Sequence, residues 1–426
     1  MSKFNFNSQF SKLKEIMDNY SKKIGIDLDY FIKNSFLTIL IQISNITLSL
    51  ILTIFLARFT TKDVFGSYNF IISIISMLTI ISMPGFNFTL IKSASRGKDG
   101  LYNKIFKLRF FWSLIGVPFL IFVGLYYFYF ENQMIGLGLL LASIFFPFFD
   151  PPTIWVKLLQ GKKRFDLVTK NSIIIIFIRT VTIIIATILG SGNIIPILIA
   201  FLIAHSSLNL LYYYKSKNLL INNEIEEKWK KSGYKLTFVE LSSYIYNYAD
   251  KIIVGVILGP VELAIYVIAT NIIYQIIGSI DQLLKVIYPK IFEMNSDSII
   301  KSLKRFIFKF TLLIVGFVFL LILILPTLIP LLFSSEYADA ILLAQISTLI
   351  IPFNILTYLS DPIIVAFNRE DVLFKFRLIG ICLYLSCYII LIIYLGLVGV
   401  VISSIIYYMT LMLLQFFYIF RREKTN

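Results

Sequence analysis

Residues 306–333 read FIFKFTLLIVGFVFLLILILPTLIPLLF and contain a single charged side chain, Lys309. An α-helix needs about 20 consecutive apolar residues to cross the hydrocarbon core of a bilayer. The stretch exceeds this length and therefore predicts a helix that spans a membrane.

The same pattern recurs along the chain, which has 426 residues. Twelve apolar runs can be marked, at residues 35–57, 66–91, 108–130, 134–156, 171–189, 194–214, 236–258, 261–284, 306–333, 340–367, 374–394 and 399–420. Hydrophobic residues make up 58% of the chain and charged residues 15%, whereas a soluble domain is about a quarter charged. The uninterrupted runs also exclude a β-barrel, whose strands are about ten residues long. We predict an all-α polytopic membrane protein with about twelve transmembrane helices.

Basic residues concentrate on one side of this predicted topology. Nearly all Lys and Arg residues lie in alternate connections, and only Arg58 and Lys62 lie in the opposite ones. By the positive-inside rule both termini are cytoplasmic, in a cell (inner or plasma) membrane. The formal net charge of +15 is therefore a topology signal with secondary contact to anionic lipids, and we expect no nucleic-acid partner.

A weak internal repeat divides the chain. A shift of 198 residues places Gly66-Ser67-Tyr68 on Ala264-Ile265-Tyr266, and Asp150-Pro151 and Asp361-Pro362 both fall late in the fourth helix of a half. Two pseudo-symmetric six-helix lobes in the same orientation, with a substrate path between them near the midplane, follow from this repeat. The predicted parts are a cytoplasmic amphipathic tail (1–34), an N-terminal lobe (35–214), a cytoplasmic linker (215–235), a C-terminal lobe (236–420) and a cytoplasmic tail (421–426).

Residues for enzymatic or metal chemistry are scarce. Two cysteines, Cys382 and Cys387, and one histidine, His205, cannot build a structural zinc site or an iron–sulfur cluster. The chain has no phosphate-binding loop, nucleophile elbow or H-E-x-x-H motif. The predicted outward loops are also too short to form a catalytic domain. We therefore expect no cofactor, no metal site and no enzymatic activity.

Polar side chains inside the apolar runs are the remaining candidates for a functional site. They are expensive in lipid and usually face a cavity or a partner. The first and seventh runs carry matching polar stripes at helical spacing, with Gln42 and Asn45 in the first and Glu240, Tyr244, Asn247, Asp250 and Lys251 in the seventh. Interhelical hydrogen bonding is an alternative role for the uncharged ones. Arg179, in the fifth run, either lines a hydrated cavity or pairs with an acid, for which Asp150 is a candidate.

Two segments carry a resemblance to a known family. Residues 56–100 include LARFTTKDVFGSYNFIIS and PGFNFTLIKSASRGKDG, and residues 246–266 read YNYADKIIVGVILGPVELAIY, followed by IYPKI at 287–291. These segments resemble Wzx-type polysaccharide flippases of the multidrug/oligosaccharidyl-lipid/polysaccharide (MOP) exporter superfamily. The chain lacks the arginine-rich first helix and the two extra C-terminal helices of lipid II flippases, which counts against peptidoglycan precursors.

The resemblance implies a MATE-like, V-shaped transporter with a cationic central cavity. Its substrate would be a polyprenyl-diphosphate-linked oligosaccharide (an O-antigen, capsule or other surface-glycan repeat unit), moved to the outer leaflet by alternating access. Implied partners are this lipid-linked oligosaccharide, membrane lipids, and the glycan polymerase and glycosyltransferases of the same pathway. The candidate substrate-binding residues are Arg179, Lys251, Lys285, Asn45, Gln42, Tyr244 and Asn247, and the candidate ion-coupling acids are Glu240, Asp250 and Asp150.

Two alternatives remain open. A multidrug or cation antiporter of the same superfamily would need an acidic cavity, against which Arg179 and Lys251 argue. A polytopic glycosyltransferase or polymerase would need a sizeable exofacial loop, which none of the predicted loops provides.

The topology is testable with reporter fusions. Fusions at Gly192 and Glu336 should report an external location, and fusions at Lys162, Lys228 and Lys424 a cytoplasmic one, because the basic loops stay inside. A cytoplasmic result at Gly192 would contradict the twelve-helix arrangement.

Overall fold

The computed structural model describes residues 28–285, 291, 296–367 and 369–423. The tails at 1–27 and 424–426, most of the segment 287–291 and the side chain of Lys285 lie outside the described residues. The described part of the chain consists of helices and the connections between them, the longest of which is 218–228. Its α-helices are α1 Leu28–Phe59, α2 Lys62–Leu78, α3 Phe86–Ser95, α4 Leu101–Phe130, α5 Gln133–Phe149, α6 Ile154–Gly161, α7 Phe165–Leu189, α8 Ile194–Lys217, α9 Trp229–Ile257, α10 Pro260–Lys285, α11 Ser296–Phe333, α12 Ala340–Ser347, α13 Ile350–Ala366 and α14 Glu370–Glu423.

The helices confirm an all-α polytopic membrane protein. Among the described residues, ten segments are long and apolar enough to cross a membrane. One of them lies in α14, whose 54 residues would measure about 81 Å as a straight helix. Non-helical backbone at Gly396 (φ 56°, ψ −136°) instead divides α14 in two. Helix α9 is not among the ten, since Glu240, Asp250 and Lys251 reduce its apolar character. The exact count of twelve stays a prediction.

Three predicted runs have different helix boundaries in the structure. The run 66–91 is broken between α2 and α3, where Met83 adopts a left-handed backbone conformation with φ 61° and Pro84 lacks an N–H donor. The run 134–156 is broken after Asp150 by two prolines. Helix α4, which corresponds to the third predicted run, begins at Leu101, seven residues before the predicted start, so its basic residues are helical.

The linker between the two halves is shorter than predicted. Residues 218–228 are not helical, and α9 begins at Trp229 rather than at 236. The early start has a packing reason, because the rings of Trp229 and Tyr234 lie edge-on to Phe86, with centroids 5.5 and 5.2 Å away. These contacts partly bury the aromatic side chains of the first turns of α9.

Connections predicted for the same side of the membrane meet at the same end of the structure. At one end, Arg58 Nε donates to the Leu332 carbonyl at 2.8 Å. At the other end, Lys162 Nζ lies 2.7 Å from Asp99 Oδ2, and the Gly100 amide donates to the Glu224 carbonyl at 2.9 Å. The arrangement agrees with the alternation of basic and non-basic connections along the chain.

One apolar core joins the first half of the chain to the second. Helix α2 packs against both α9 and α10, and the core includes Phe70 and Ile75 from α2 together with Tyr266 from α10. The backbones come close at Gly66, where a Cβ would overlap the carbonyl of Pro260. The division into two lobes stays a prediction.

A substitution at Gly66 tests this close approach. Gly66→Ala should lower the stability by about 1–3 kcal/mol, as overpacking does in a tight interface. Gly316→Ala is the matched control, because Gly316 lies in α11 with open space where a Cβ would be. An alanine there should be neutral or stabilising by about 0.5–1 kcal/mol. Thermal unfolding of the purified proteins measures both, and equal midpoints for the two variants would contradict the packing.

Candidate substrate cavity

A polar cavity of about 260 Å³ lies between α1 and α10, and we call it the amide chamber. Its described wall combines four side-chain amides with three hydroxyl groups and one lysine. The lining residues are Gln42, Asn45, Ile46, Ser49, Lys251, Val267, Thr270, Asn271, Tyr274, Gln275 and Gly278.

A second cavity of about 280 Å³ lies deeper in the second half of the chain, and we call it the tyrosine chamber. Helices α9, α10, α13 and α14 contribute to it. The lining residues are Asn247, Asp250, Lys251, Tyr274, Ile277, Gly278, Tyr358, Tyr384 and Tyr408.

Lys251 is the cation that both chambers share. Tyr274 and Gly278 also line both, so the two cavities adjoin along this wall. The side chain of Lys251 is half-buried, and no ion pair joins it to another described residue. A lysine held in this way can offer its ammonium group to an anion, surrounded by hydrogen-bonding side chains that suit a polyhydroxylated ligand.

Asp250 is the buried acid of the tyrosine chamber. Its side chain is 5% exposed, and the Tyr266 hydroxyl donates to Asp250 Oδ2 at 2.8 Å. The Tyr388 hydroxyl donates to the main-chain carbonyl of Asp250, also at 2.8 Å. Asp250 Oδ1 has no hydrogen-bond partner among the described residues, so one carboxylate oxygen is available inside the protein for a proton or a cation.

Asp150 has a different environment, since it is paired with Arg109. The Arg109 side chain is fully buried, and its Nη2 lies in an ion pair with Asp150 Oδ2. Arg109 Nε also donates to the Ser82 carbonyl at 3.1 Å, and Nη1 to Asn87 Oδ1 at 2.7 Å. These bonds join α4 to the breaks after α2 and α5. The candidate pairing of Arg179 with Asp150 is therefore wrong, because Arg109 occupies that carboxylate.

Arg179 instead lies beside His205. Its Nη1 is 3.4 Å from His205 Nδ1, and its guanidinium carbon is 5.8 Å from the centroid of the Phe201 ring. His205 Nε2 lies 3.1 Å from the Phe149 carbonyl, which fits a neutral ring that donates from Nε2 and accepts at Nδ1. Arg179 lines neither chamber.

Of the other candidate substrate-binding residues, some line the chambers and one does not. Gln42, Asn45 and Asn247 line the chambers together with Lys251. Tyr244 instead lies beside Thr79, near the end of α2. Their roles in binding stay predictions.

Glu240 also lies outside both chambers and is half-buried in α9. No ion pair connects it to Lys251 in the described part of the chain.

Sequence reasoning missed the face that α10 contributes to the amide chamber. Thr270, Asn271, Tyr274, Gln275 and Gly278 recur at helical spacing on α10. The stripe criterion used for the first and seventh runs would have found them. Arg109 carried no such signal, because it stands one residue inside an apolar run and reads as part of a basic loop.

The fold is shared with solved transporters. The lipid II flippase MurJ in an inward closed conformation aligns with a TM-score of 0.68 at 17% identity, covering 91% of this chain and 87% of MurJ. An inward-facing multidrug resistance MATE transporter of the MOP superfamily aligns at 0.57 and 12% identity, covering 89% and 95%. A eukaryotic MATE transporter aligns at 0.59 and 12% identity, covering 92% and 96%. None of the curated proteins compared with this chain matches it.

The chain therefore has the fold of a MOP-superfamily membrane transporter, as the sequence predicted. Residues 31–295 match the family described as polysaccharide biosynthesis protein, and the chain belongs to this family. The solved proteins that share the fold are a flippase and transporters.

The buried ion pair gives a direct stability test. Arg109→Ala leaves the Asp150 carboxylate without its cation, and losing one partner of a buried pair destabilises by about 3–5 kcal/mol. The lower end is expected here, since the Asp150 side chain is 21% exposed. Arg164→Ala is the matched control, because Arg164 pairs with Asp166 at the surface and should change the unfolding midpoint little. Similar midpoints for both variants would rule out a structural role for the Arg109 pair.

Proposed function

We propose that the protein moves a polyprenyl-diphosphate-linked oligosaccharide from the cytoplasmic to the outer leaflet of the cell membrane. The observation that carries this proposal is the position of Lys251, a membrane-embedded cation shared by two polar chambers. A half-buried ammonium group attracts an anionic diphosphate. The glycan would be a repeat unit of a surface polysaccharide such as an O-antigen or capsule, in keeping with the family.

The composition of the amide chamber supports a sugar rather than a compact cation as ligand. Gln42, Asn45, Asn271 and Gln275 offer both donors and acceptors, which match hydroxyl groups that donate and accept. Tyr274 adds an aromatic ring on which a sugar face can stack. A multidrug cation antiporter would need acids in this position, and the described residues that line the amide chamber include none.

Lys251 is the primary headgroup contact in this proposal. Arg179 is the second candidate cation, held by His205 outside the two chambers, and it would meet the substrate only after the helices around it rearrange. Alternating access provides such a rearrangement. Lys285 retains its sequence-based role as a candidate contact near the end of α10.

The energy for transport would come from an ion gradient or from consumption of the glycan outside, since the chain has no phosphate-binding loop. Asp250 is the best-supported coupling acid, because one of its buried oxygens has no partner among the described residues. Asp150 is less suitable, since Arg109 neutralises it. Glu240 remains a candidate outside the chambers.

The same proposal implies an orientation in the membrane and partner enzymes on each side of it. Both termini would face the cytoplasm, as the basic connections indicate. The enzymes that assemble the glycan on its lipid would supply the substrate on that side. The polymerase of the same pathway would consume it on the other.

Charge substitutions at Lys251 test the function. In a strain from which the gene for this protein is deleted, lipid-linked saccharides should accumulate, and mass spectrometry would identify them. The variants are then expressed in that strain. Lys251→Glu should reduce export of that saccharide by at least about tenfold, since a charge-assisted bond is replaced by repulsion. Lys251→Arg keeps the charge and should retain part of the activity.

The controls separate transport from protein level and from a structural ion pair. Each variant should be present in the membrane at the wild-type amount. The double variant that exchanges the two residues (Glu240→Lys with Lys251→Glu) should not restore export, because Glu240 and Lys251 form no ion pair. Full export by Lys251→Glu, or full rescue by the swap, would overturn the proposal.

A further inference from the structure

An apolar groove of about 380 Å³ lies between α10, α11 and α13, apart from both polar chambers. Its described walls are hydrocarbon side chains together with one charged residue, Lys309. The apolar lining residues are Leu284, Leu303, Ile307, Phe310, Leu313 and Leu359. Leu284 and Leu303 form a buried floor, each 7% exposed, whereas Leu313 at the rim is 69% exposed.

The rim opens toward lipid. Phe308 and Leu312, beside the groove on α11, are 75% and 64% exposed, as expected for side chains that meet acyl chains. Leu303 lies below them on the same helix, where basic residues cluster before the apolar run. The groove is therefore placed at the basic edge of the hydrocarbon layer, where a cytoplasmic-leaflet lipid has its phosphate.

Lys309 gives the groove a charge preference. The residue is exposed, and among the described residues it forms no ion pair. Lys304 and Arg305 precede it within two turns of α11, and Lys301 lies just over two turns before it. Each cation near an anionic lipid surface contributes about 1 kcal/mol of attraction, so a hydrocarbon chain that carries a phosphate fits the groove better than a neutral one.

The groove and the tyrosine chamber share two helices. On α13, Tyr358 lines the chamber and the next residue, Leu359, lines the groove. On α10, Ile277 lines the chamber, and Leu284, two turns along the same face, lines the groove. Two turns correspond to about 10 Å, which one lipid molecule can bridge with its glycan in the chamber, its tail in the groove and its diphosphate between the two.

We infer that the groove between α10, α11 and α13 binds the first units of the isoprenoid tail of the lipid-linked substrate, with Lys309 beside the diphosphate. The inference rests on the proposed function, because it assigns the tail of the same substrate. It adds a second binding site to the two chambers and gives the lipid a defined place of entry.

Site-specific photocrosslinking tests the groove. Benzoylphenylalanine is introduced in place of Leu313 in the full chain, which is reconstituted in phosphatidylethanolamine–phosphatidylglycerol vesicles with radiolabelled undecaprenyl diphosphate as the probe. Leu320 is the matched control, since it lies two turns along the same face of α11 and is 56% exposed but lies outside the groove. The label should appear at position 313 well above its level at 320.

A lysine substitution adds the charge test. Lys309→Gln should reduce crosslinking of undecaprenyl diphosphate at position 313 by about fivefold, as for the loss of one cation near the phosphate. Lys304→Gln should change it less, because Lys304 lies outside the groove, near the Phe420 ring. Equal labelling at 313 and 320, or crosslinks at 313 to phospholipid alone, would overturn the inference.

These outcomes are separate from those that test the function. Normal export by Lys251→Glu would remove the proposed transport role without changing the crosslinking result. If Lys251→Glu fails to export and selective crosslinking at 313 is absent, the transport proposal is supported and the assignment of the tail to the groove is wrong.

Discussion

A formal charge within the hydrocarbon layer must have a partner or water, and this constraint accounts for much of the arrangement described above. Arg109 and Asp150 neutralise each other where three helix ends meet. Asp361 is held in the same way by Arg377 Nη2 at 2.8 Å and by Gln415 Nε2 at 2.8 Å. The carboxylates of Asp150 and Asp361, which would be costly in lipid without a partner, thereby connect neighbouring helices. Lys251 has no such tie among the described residues, and its surroundings are the polar chambers.

Both Asp-Pro sequences hold their acid in an ion pair, but the arginine comes from a different helix in each case. In the first half, Asp150 receives its arginine from α4. In the second half, Asp361 receives Arg377 from the start of α14. Proline after the acid removes an N–H donor and ends or strains the local helix. The ion pair at that point connects the neighbouring helices where the backbone forms fewer hydrogen bonds.

Hydrophobic runs and loop charges predicted the membrane class, the helical fold and the order of the spans, because span length and the charge of short loops are properties of local sequence. They did not predict the break at Met83, which depends on one left-handed residue, or the early start of α9, which depends on Phe86 from another helix. Part of the candidate site followed from polar stripes on α1 and α9. The pairing of Asp150 did not, since periodicity gives the face of a helix but not the helix that faces it.

The adjacency of Asp250 and Lys251 connects substrate binding to ion binding under the proposed function. With Asp250 ionised, an anion at Lys251 experiences attraction from the ammonium group and repulsion from the neighbouring carboxylate. A proton or cation on the unpartnered oxygen of Asp250 removes that repulsion. Linkage then requires the converse, so that a bound diphosphate strengthens binding of the proton or cation by the same factor. Tyr266 holds the other oxygen of Asp250 by a hydrogen bond of 2.8 Å, which keeps the carboxylate in the position where this coupling acts. Under the proposed function, a single pair of consecutive residues on α9 thus provides both the anion contact and the ion contact, without a separate path between two distant sites.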